Sequence, residues 1–451
     1  MPYLVFPLQV SSQTATVWLG AINENFDPTR LSLIVNGLPT PLPAPWQQWR
    51  SEGQDQRVDF QRLELTNRQP NTVYDIELRV NGTMQSSAKV TTLPLQLPRE
   101  SDPKPFTVML GSCYFEPNDN GRAGAVFRSL PTAAKPDVKL LCGDQVYLDN
   151  PWYQTLNLFP QSQNNLEKNF LKKYLRNWTQ SQVGEGYREV LKTGANYFCA
   201  DDHEYWNNFP TAASYVVGTW TDNGRERWHA ATEPLYNLFQ TPEKIQRFTV
   251  GNLSFFIADT RSARDNDRQN FMDPAQFAQL EQWVNGLTGP GVLVLGQVIF
   301  AGKANEVGGR LGDWGLPDFA QYEALVRVLL SAQHSLLVLT GDVHFGRVAR
   351  CTLVSGAELI EVISSPMSLV SDLGGGAAPP PQQFPAFPVP NAVSVNIEQQ
   401  PDRLFLLEGN HFATVSFVAR GAKVIATIKY WMIGNDPNVR ISHTLPEIQL
   451  Q

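Results

Sequence analysis

Six times in this chain a short, unbroken apolar run stops abruptly at residues that can bind metals or move protons. "FTVMLGSCYF" (106–115) delivers Ser112 and Cys113. "VKLLCGDQVYLDN" (138–150) delivers Asp144, then Tyr147 and Asp149. "ANYFCADDHEYWNN" (195–208) delivers Asp201, Asp202, His203, Glu204, Asn207 and Asn208. "LSFFIADTRSAR" (253–264) delivers Asp259, Arg261 and Arg264. "GVLVLGQVIF" (291–300) delivers Gln297. "SLLVLTGDVHFGR" (335–347) delivers Asp342, His344 and Arg347. Continuous apolar runs of this length suit strands buried on both faces. Amphipathic stretches lie between them: "NLEKNFLKKYLRNW" puts Leu166, Phe170, Leu171, Tyr174, Leu175 and Trp178 on one helical face, and "PAQFAQLEQWVNGL" and "FAQYEALVRVLLSA" behave alike. Buried strands mixed with helices predict a layered α/β domain.

Residues 1 to about 100 have another texture. "TATVWLGA", "RLSLIVNG", "TVYDIELRVNG" and "SSAKVTTL" alternate apolar and polar residues and end at Asn-Gly or Pro. That pattern predicts a small all-β sandwich of immunoglobulin or fibronectin-III type. "PLQLPRESDPKP" (94–105) has a linker's composition, so the expected domains are 1–98 and 105–451. The Gly/Pro-rich segment 372–391 is a surface loop, either a lid or a plain connection.

Composition excludes several classes. The chain has 451 residues, 42% hydrophobic and 18% charged, with net charge −7 and no long Lys/Arg run. A nucleic-acid groove is therefore not the expectation. No stretch approaches the roughly 20 apolar residues of a membrane span. The N-terminus alternates like a strand and lacks a signal peptide's charged start and apolar core. As written the chain is expected to be cytoplasmic; a trimmed signal would make it periplasmic or secreted. The four cysteines, Cys113, Cys142, Cys199 and Cys351, sit in or at the end of apolar runs, as buried thiols or a ligand would.

One polar strand end means little, since every strand leaves the core through polar residues and Gly-Asp is a common turn. Six ends in a layered α/β domain are different, because sites in open α/β sheets lie beyond the carboxyl ends of the strands. Carboxylates meeting there would raise one another's pKa. A bound cation removes that cost. Two of the six histidines, His203 and His344, occur at these ends.

The order of the boxes resembles that of the calcineurin-like metallophosphoesterases, and the detail is similar to the PhoD-like (alkaline phosphatase D) branch. "GSCYF", "GDQVY", "DDHEYWNN", "ADTR", "LGQ" and "GDVHFGR" occur in that order, and "GDWGLPDFAQYEAL" before the last box also fits. The resemblance covers about 105–435. It implies a layered β-sandwich core flanked by helices, preceded by the small all-β domain. It implies a bridging carboxylate, Asp144. One metal site, resembling a ferric one, would use Cys113, Asp144, Tyr147 and His344. A second, resembling a calcium site, would use Asp144, Asp202 and Asp342, with Gln297 or one of Asn207 and Asn208; magnesium or manganese are the alternatives there.

The implied reaction is hydrolysis of small phosphate esters, monoesters or diesters. His203 would assist the leaving group. Arg261, with Arg264, would bind phosphate oxygens; the other reading of Arg261 is an ion pair with Asp201 or Asp259. Asp149 is read as a turn or supporting residue, and Cys142 and Cys199 as packing. Lys303 and Arg310 lie in "AGKANEVGGRLGDWG", a cover for the site or a plain loop. The competing functions are a nuclease-like phosphodiesterase on nucleotides or envelope polymers and a non-catalytic scaffold of the same fold. Family members are commonly exported by a twin-arginine signal, which this sequence does not show. Oligomeric state and the choice of ester are not legible.

Overall fold

The computed structural model describes residues 3–43, 45–150, 161–179, 186–305, 308–309, 312–369, 377–388, 392–400, 403–434, 436 and 441–451. Arg310 and much of the 372–391 segment lie outside them.

Eight strands lead the chain: β1 (Tyr3–Val10), β2 (Ala15–Ile22), β3 (Leu31–Val35), β4 (Leu38–Thr40), β5 (Gln47–Arg50), β6 (Arg57–Leu65), β7 (Val73–Val80) and β8 (Thr83–Thr91). They form two antiparallel sheets, ordered β1-β2-β6-β5 and β4-β3-β7-β8. Asn36-Gly37 and Asn81-Gly82 close the β3–β4 and β7–β8 hairpins with positive φ at both residues, which is why Asn-Gly is favoured there. Val17, Leu19, Leu33, Ile76, Leu78 and Val90 fill the interior. The outer face of β1 and β2 is buried as well: Trp18 lies 5.7 Å from Phe239, ring to ring. The Tyr197 hydroxyl bonds both the N–H and the carbonyl of Val10. Residues 94–105 then run without a strand.

Two further sheets form the centre of the molecule. The first contains parallel β9 (Phe106–Gly111), β10 (Val138–Cys142) and β11 (Ala195–Cys199), extended by antiparallel His411–Arg420 and Lys423–Met432. The second is ordered β12 (Ile245–Val250), β13 (Leu253–Ala258), β14 (Gly291–Val294), β15 (Leu336–Thr340), β17 (Glu358–Ile363), β16 (Gly346–Thr352), with β13, β14, β15 and β17 parallel. Helices α1 (Glu116–Asp119), α2 (Arg122–Arg128), α3 (Gln163–Thr179), α4 (Tyr187–Leu191), α5 (Asp222–Phe239) and α6 (Pro274–Asn285), then Tyr322–Leu330, lie between the strands in sequence.

The period-2 alternation of strands explains the unbroken apolar runs. Val108 and Leu110 of β9, Leu140 of β10, Phe255 and Ile257 of β13, Val292 and Val294 of β14, and Leu337 and Leu339 of β15 share one buried cluster between the sheets. The alternate residues Met109, Leu141 and Phe198 pack outward with Phe170, Trp178 and Phe239 of α3 and α5. Phe256, Leu293 and Val338 pack outward with Leu280 of α6 and Leu325. The order is helices, sheet, sheet, helices. Neither face of a central strand meets water, so both are mostly apolar, and such exceptions as Lys139, Asn196 and Glu361 are hydrogen-bonded inside the protein. Truncating a residue such as Leu337 to Ala would cost about 2–5 kcal/mol. Among the described residues no helix is long and apolar enough to cross a membrane.

Candidate metal centre

Three parallel strands of each central sheet, β9, β10 and β11 against β13, β14 and β15, send their carboxyl ends to one edge of the sandwich. There the chain turns sharply. Cys113, Asp144, Asp342 and His344 all have left-handed backbones, with φ of 55°, 56°, 69° and 62°. Such residues cost on the order of 1–3 kcal/mol each and persist where the surroundings fix them. Cys113 N–H donates to Gly143 O at 3.2 Å and Tyr114 N–H to Asp144 O at 2.8 Å. Asp342 N–H donates to Ser112 Oγ at 3.3 Å, and His344 N–H to Ser365 Oγ at 3.2 Å. A Cβ on Gly143 would collide with Asp201, so this Gly is what lets the second and third boxes touch.

The carboxylates of Asp144, Asp201, Asp202 and Asp342 offer oxygens within 4.8 Å of one another. Asp144, Asp202 and His203 do the same. Cys113 Sγ lies 3.4 Å from Asp144 Oδ2 and 3.5 Å from Asp342 O. Burial, then the neighbouring acids, pushes Asp144 and Asp342 well above the usual carboxylate range. Burial lifts Asp201 to about 6 against the pull of Arg261. Burial, then Asp144, also holds the Cys113 thiol up, and burial, then Cys113 and Asp144, the Tyr147 phenol. His344 is pushed down to about 4 by burial and by His203, so its ring is neutral and fit to ligate.

Among the described residues, two buried oxygens, Tyr147 Oη and Asp201 Oδ2, have no hydrogen-bond partner. Orphaned buried acceptors in a crowd of acids fit a cation. The chemistry of these groups fits metal ions: imidazole and carboxylate in the Asp144, Asp202 and His203 group, and carboxylate oxygens alone in the group around Asp202 and Asp342. Asp201 joins the second group, although the sequence singled it out only as an ion-pair partner. Cys113 and His344 stand outside the two tight groups, and Cys113 Sγ reaches Asp144 Oδ2 and Asp342 O.

The loops carrying these ligands are braced by two buried acids. Glu204 Oε2 accepts from the N–H groups of Asp144 and Asp201, and Oε1 from Gln145 N–H and Gln240 Nε2. Burial raises its pKa to about 7 even so. Asp149, fully buried, sits 2.7 Å from His203 Nδ1. Its role is therefore more than a turn. Asp201 and Glu204 form a local capping box, but the bonds that join Glu204 to Asp144 and Gln145, and Asp149 to His203, link residues 54–60 positions apart, which no sequence pattern marks.

The arginines depart from the substrate-binding expectation. Arg261 is fully buried. Its Nε donates to Asp201 Oδ1 at 2.5 Å, Nη1 to Phe209 O at 3.0 Å and Asp313 Oδ1 at 3.1 Å, and Nη2 to Asp313 Oδ2. Asp259 Oδ1 accepts from the backbone N–H groups of Arg261 and Ser262, not from the guanidinium. Arg264 donates to Thr260 O, Trp314 O and Gln297 Oε1. Both guanidinium groups are consumed inside the protein, so the two arginines support carboxylates and do not face substrate. Gln297 is also committed, with Oε1 on Arg264 and Nε2 on Asp313 and Asp342. Its oxygen is not directed at the second metal group.

Asn207 and Asn208 donate from Nδ2 to Gly312 O and Gly309 O, and Asn208 N–H donates to Asp202 Oδ2. Their amides hold Gly309 and Gly312 over the third box, and Asn208 Oδ1 is taken by Trp314 N–H. Asp313, in "GDWG", was not singled out from the sequence. Its signal was there, an Asp between glycines beside a run already resembling the family. Lys303 is exposed, and Cys142 and Cys199 are buried register partners on β10 and β11.

Residues 106–297 match the family model of the PhoD-like phosphatases. The match holds the first five boxes and stops before Asp342 and His344. A solved structure described as the structure of PhoD superimposes with a TM-score of 0.62 at 15% identity, covering 98% of this chain and 88% of that one. At that identity the likeness speaks for the fold. No curated protein sequence matches the chain at a significant level.

Proposed function

From the match of residues 106–297 to the PhoD-like phosphatases, we propose that the chain is a PhoD-like, metal-dependent hydrolase of phosphoric esters. The observation that carries the reading is the group of buried Asp144, Asp201 and Asp202 with half-buried Asp342, flanked by Cys113, Tyr147, His203 and His344. A non-catalytic scaffold has no reason to keep so many acids crowded out of water.

Cys113, Asp144, Tyr147 and His344 would hold iron, and Asp144, Asp201, Asp202 and Asp342 would hold calcium, magnesium or manganese. Metal ions, when bound, supply a nucleophilic hydroxide near neutral pH and neutralise phosphoryl oxygens. The protein's own groups do the rest. Asp144 places its two oxygens between the two sets. His203, fixed by Asp149, presents Nε2 and donates a proton to the departing ester oxygen. Glu204 holds the backbone under Asp144 and Asp201. Arg261 orients Asp201 and opposes the upward shift that burial imposes on it, and Asp313 in turn holds the Arg261 guanidinium. The division into residues 1–98 and a catalytic unit of 105–451 belongs to the same proposal.

Metal analysis of the purified protein, with turnover measured on monoester, diester and triester panels, tests it. Bound metal with chelator-sensitive hydrolysis of at least one class is the expected result. Metal-free protein that cannot be activated by iron or divalent ions would overturn it.

A further inference from the structure

Helix α3 runs beside the loop that follows β10, and two of its side chains one turn apart hold that loop by its carbonyls. Lys173 Nζ donates to Tyr147 O at 3.2 Å, Leu148 O at 2.6 Å and Asn150 O at 2.5 Å. Asn177 Nδ2 donates to Gln145 O at 2.7 Å. Residues 144–150 have no regular secondary structure, so these carbonyls have no ladder to satisfy them. An ammonium has three donors, and here they meet three carbonyls.

The loop so held carries much of the centre. Tyr147 brings its unpartnered hydroxyl to the proposed iron ligands. Its ring lies 4.1 Å from that of His203, centroid to centroid. Leu148 N–H donates to His203 O at 3.0 Å. Asp149, the next residue, holds His203 Nδ1. Displacing these three carbonyls would therefore move a metal-ligand candidate, the general acid and the acid's orienting carboxylate together.

We propose that Lys173 is a positioning residue, its ammonium clamping the 147–150 loop so that Tyr147 and the Asp149–His203 pair are set in register. The proposal rests on the phosphoesterase reading and deepens it, because it assigns a role to a helix side chain outside the six boxes. Packing alone would be served by a methionine or leucine at this place. A buried ammonium is costly unless its donors are all used, and here they are. Burial lowers the pKa of Lys173 to about 8, with Asp149 opposing the shift, so the side chain stays charged at neutral pH.

The test compares wild-type, Lys173→Met and Lys173→Arg proteins in metal content, thermal midpoint and turnover on nitrophenyl and alkyl phosphate esters. Groups that orient first-layer residues are typically worth about 10–100-fold. Lys173→Met should lose roughly that much turnover on alkyl esters and clearly less on nitrophenyl esters, which need no proton at the leaving oxygen. Lys173→Arg should recover part of the alkyl-ester rate. Equal loss on both ester types, or a lower thermal midpoint with unchanged turnover, would mean a merely structural lysine and overturn the role. If Lys173→Met does not fold, Lys173→Arg decides: a loss confined to alkyl esters supports the clamp, and a wild-type leaving-group profile overturns it. Wild-type protein inactive on every ester would overturn the phosphoesterase reading. Active wild-type matched by Lys173→Met would overturn this role alone.

Discussion

Asp149 Oδ1 lies 2.7 Å from Nδ1 of His203, while Oδ2 of the same carboxylate accepts from Asn207 N–H and from the Tyr215 hydroxyl, at 2.7 and 2.9 Å. The acid is fixed on both oxygens, so it fixes the ring. Burial opposes a charge on His203, yet Asp149, Asp202 and Asp144 together outweigh it and raise the ring's pKa well above the ordinary value. A histidine that holds its proton on the side away from its anchor is placed to give that proton up.

The two site histidines should behave differently. His203→Ala should lower turnover by roughly 10²–10⁴-fold with metal content near wild type, and the loss should be greater for alkyl than for nitrophenyl phosphates. His344→Ala should lose metal and activity on every ester. The closeness of His203 to Asp144 and Asp202 makes the measurement decisive. Metal loss in His203→Ala equal to that in His344→Ala would make His203 a ligand.

The pair also predicts a pH dependence in metal-free protein. His203 has a raised pKa in the fold, so its contribution is whole below its unfolded value, about 6.5, and is lost as pH rises through the folded value. Asp149 has a lowered pKa: burial opposes ionisation, but His203 overcomes it. Its contribution is present above about 3.9 and is lost as pH falls through the folded value. Asp149→Asn should therefore depress the thermal midpoint most between about pH 4 and 6.5, and the gap should close in alkaline solution. A gap that widens with rising pH would refute the ion pair.

Much of this was legible in the sequence. Parallel strands covered on both faces are written as unbroken apolar runs, and all six such runs are central strands. The left-handed turns that follow them carry Cys113, Asp144, Asp342 and His344, four of the predicted ligands. What the runs could not show is which polar group spends its bonds on which. Arg261 finds Asp313 across 52 residues, Gln297 gives its oxygen to Arg264, and Asn208 turns to Gly309. Residue type announces a capacity for hydrogen bonding; only packing decides the partner. Nor does the helical pattern of "NLEKNFLKKYLRNW" show that Lys173 meets the carbonyls that follow β10.

Asp144 and Tyr147 separate metal binding from folding. Asp144→Asn removes the charge proposed to be shared by both metals, so activity should fall by more than the roughly 100-fold typical of a supporting residue. The metal-free variant should be at least as stable as wild type, because burial and neighbouring acids already disfavour that charge. Tyr147→Phe should keep the fold and remove the visible absorption of an iron–tyrosinate. Wild-type turnover in Asp144→Asn, or undiminished colour in Tyr147→Phe, would remove those residues from the centre.

Arg261 gives the sharpest contrast between a binding and a supporting role. An arginine that grips substrate phosphate can be replaced with a rise in KM and little loss of stability. An arginine that is itself buried and paired cannot, because its removal leaves Asp201 as an uncompensated buried carboxylate. Breaking a buried pair in this way costs about 3–5 kcal/mol. Arg261→Met should therefore lower the thermal midpoint markedly and weaken retention of the metal on the Asp201 side. Lys cannot reproduce the fork that reaches Asp201, Phe209 O and Asp313 at once, so Arg261→Lys should recover only part of the stability. The measurement is thermal unfolding of metal-free and metal-loaded proteins beside KM on one good ester substrate. A raised KM with an unshifted midpoint would return Arg261 to the substrate; a lowered midpoint with unchanged KM in the surviving folded fraction leaves it where the structure puts it, behind the carboxylates.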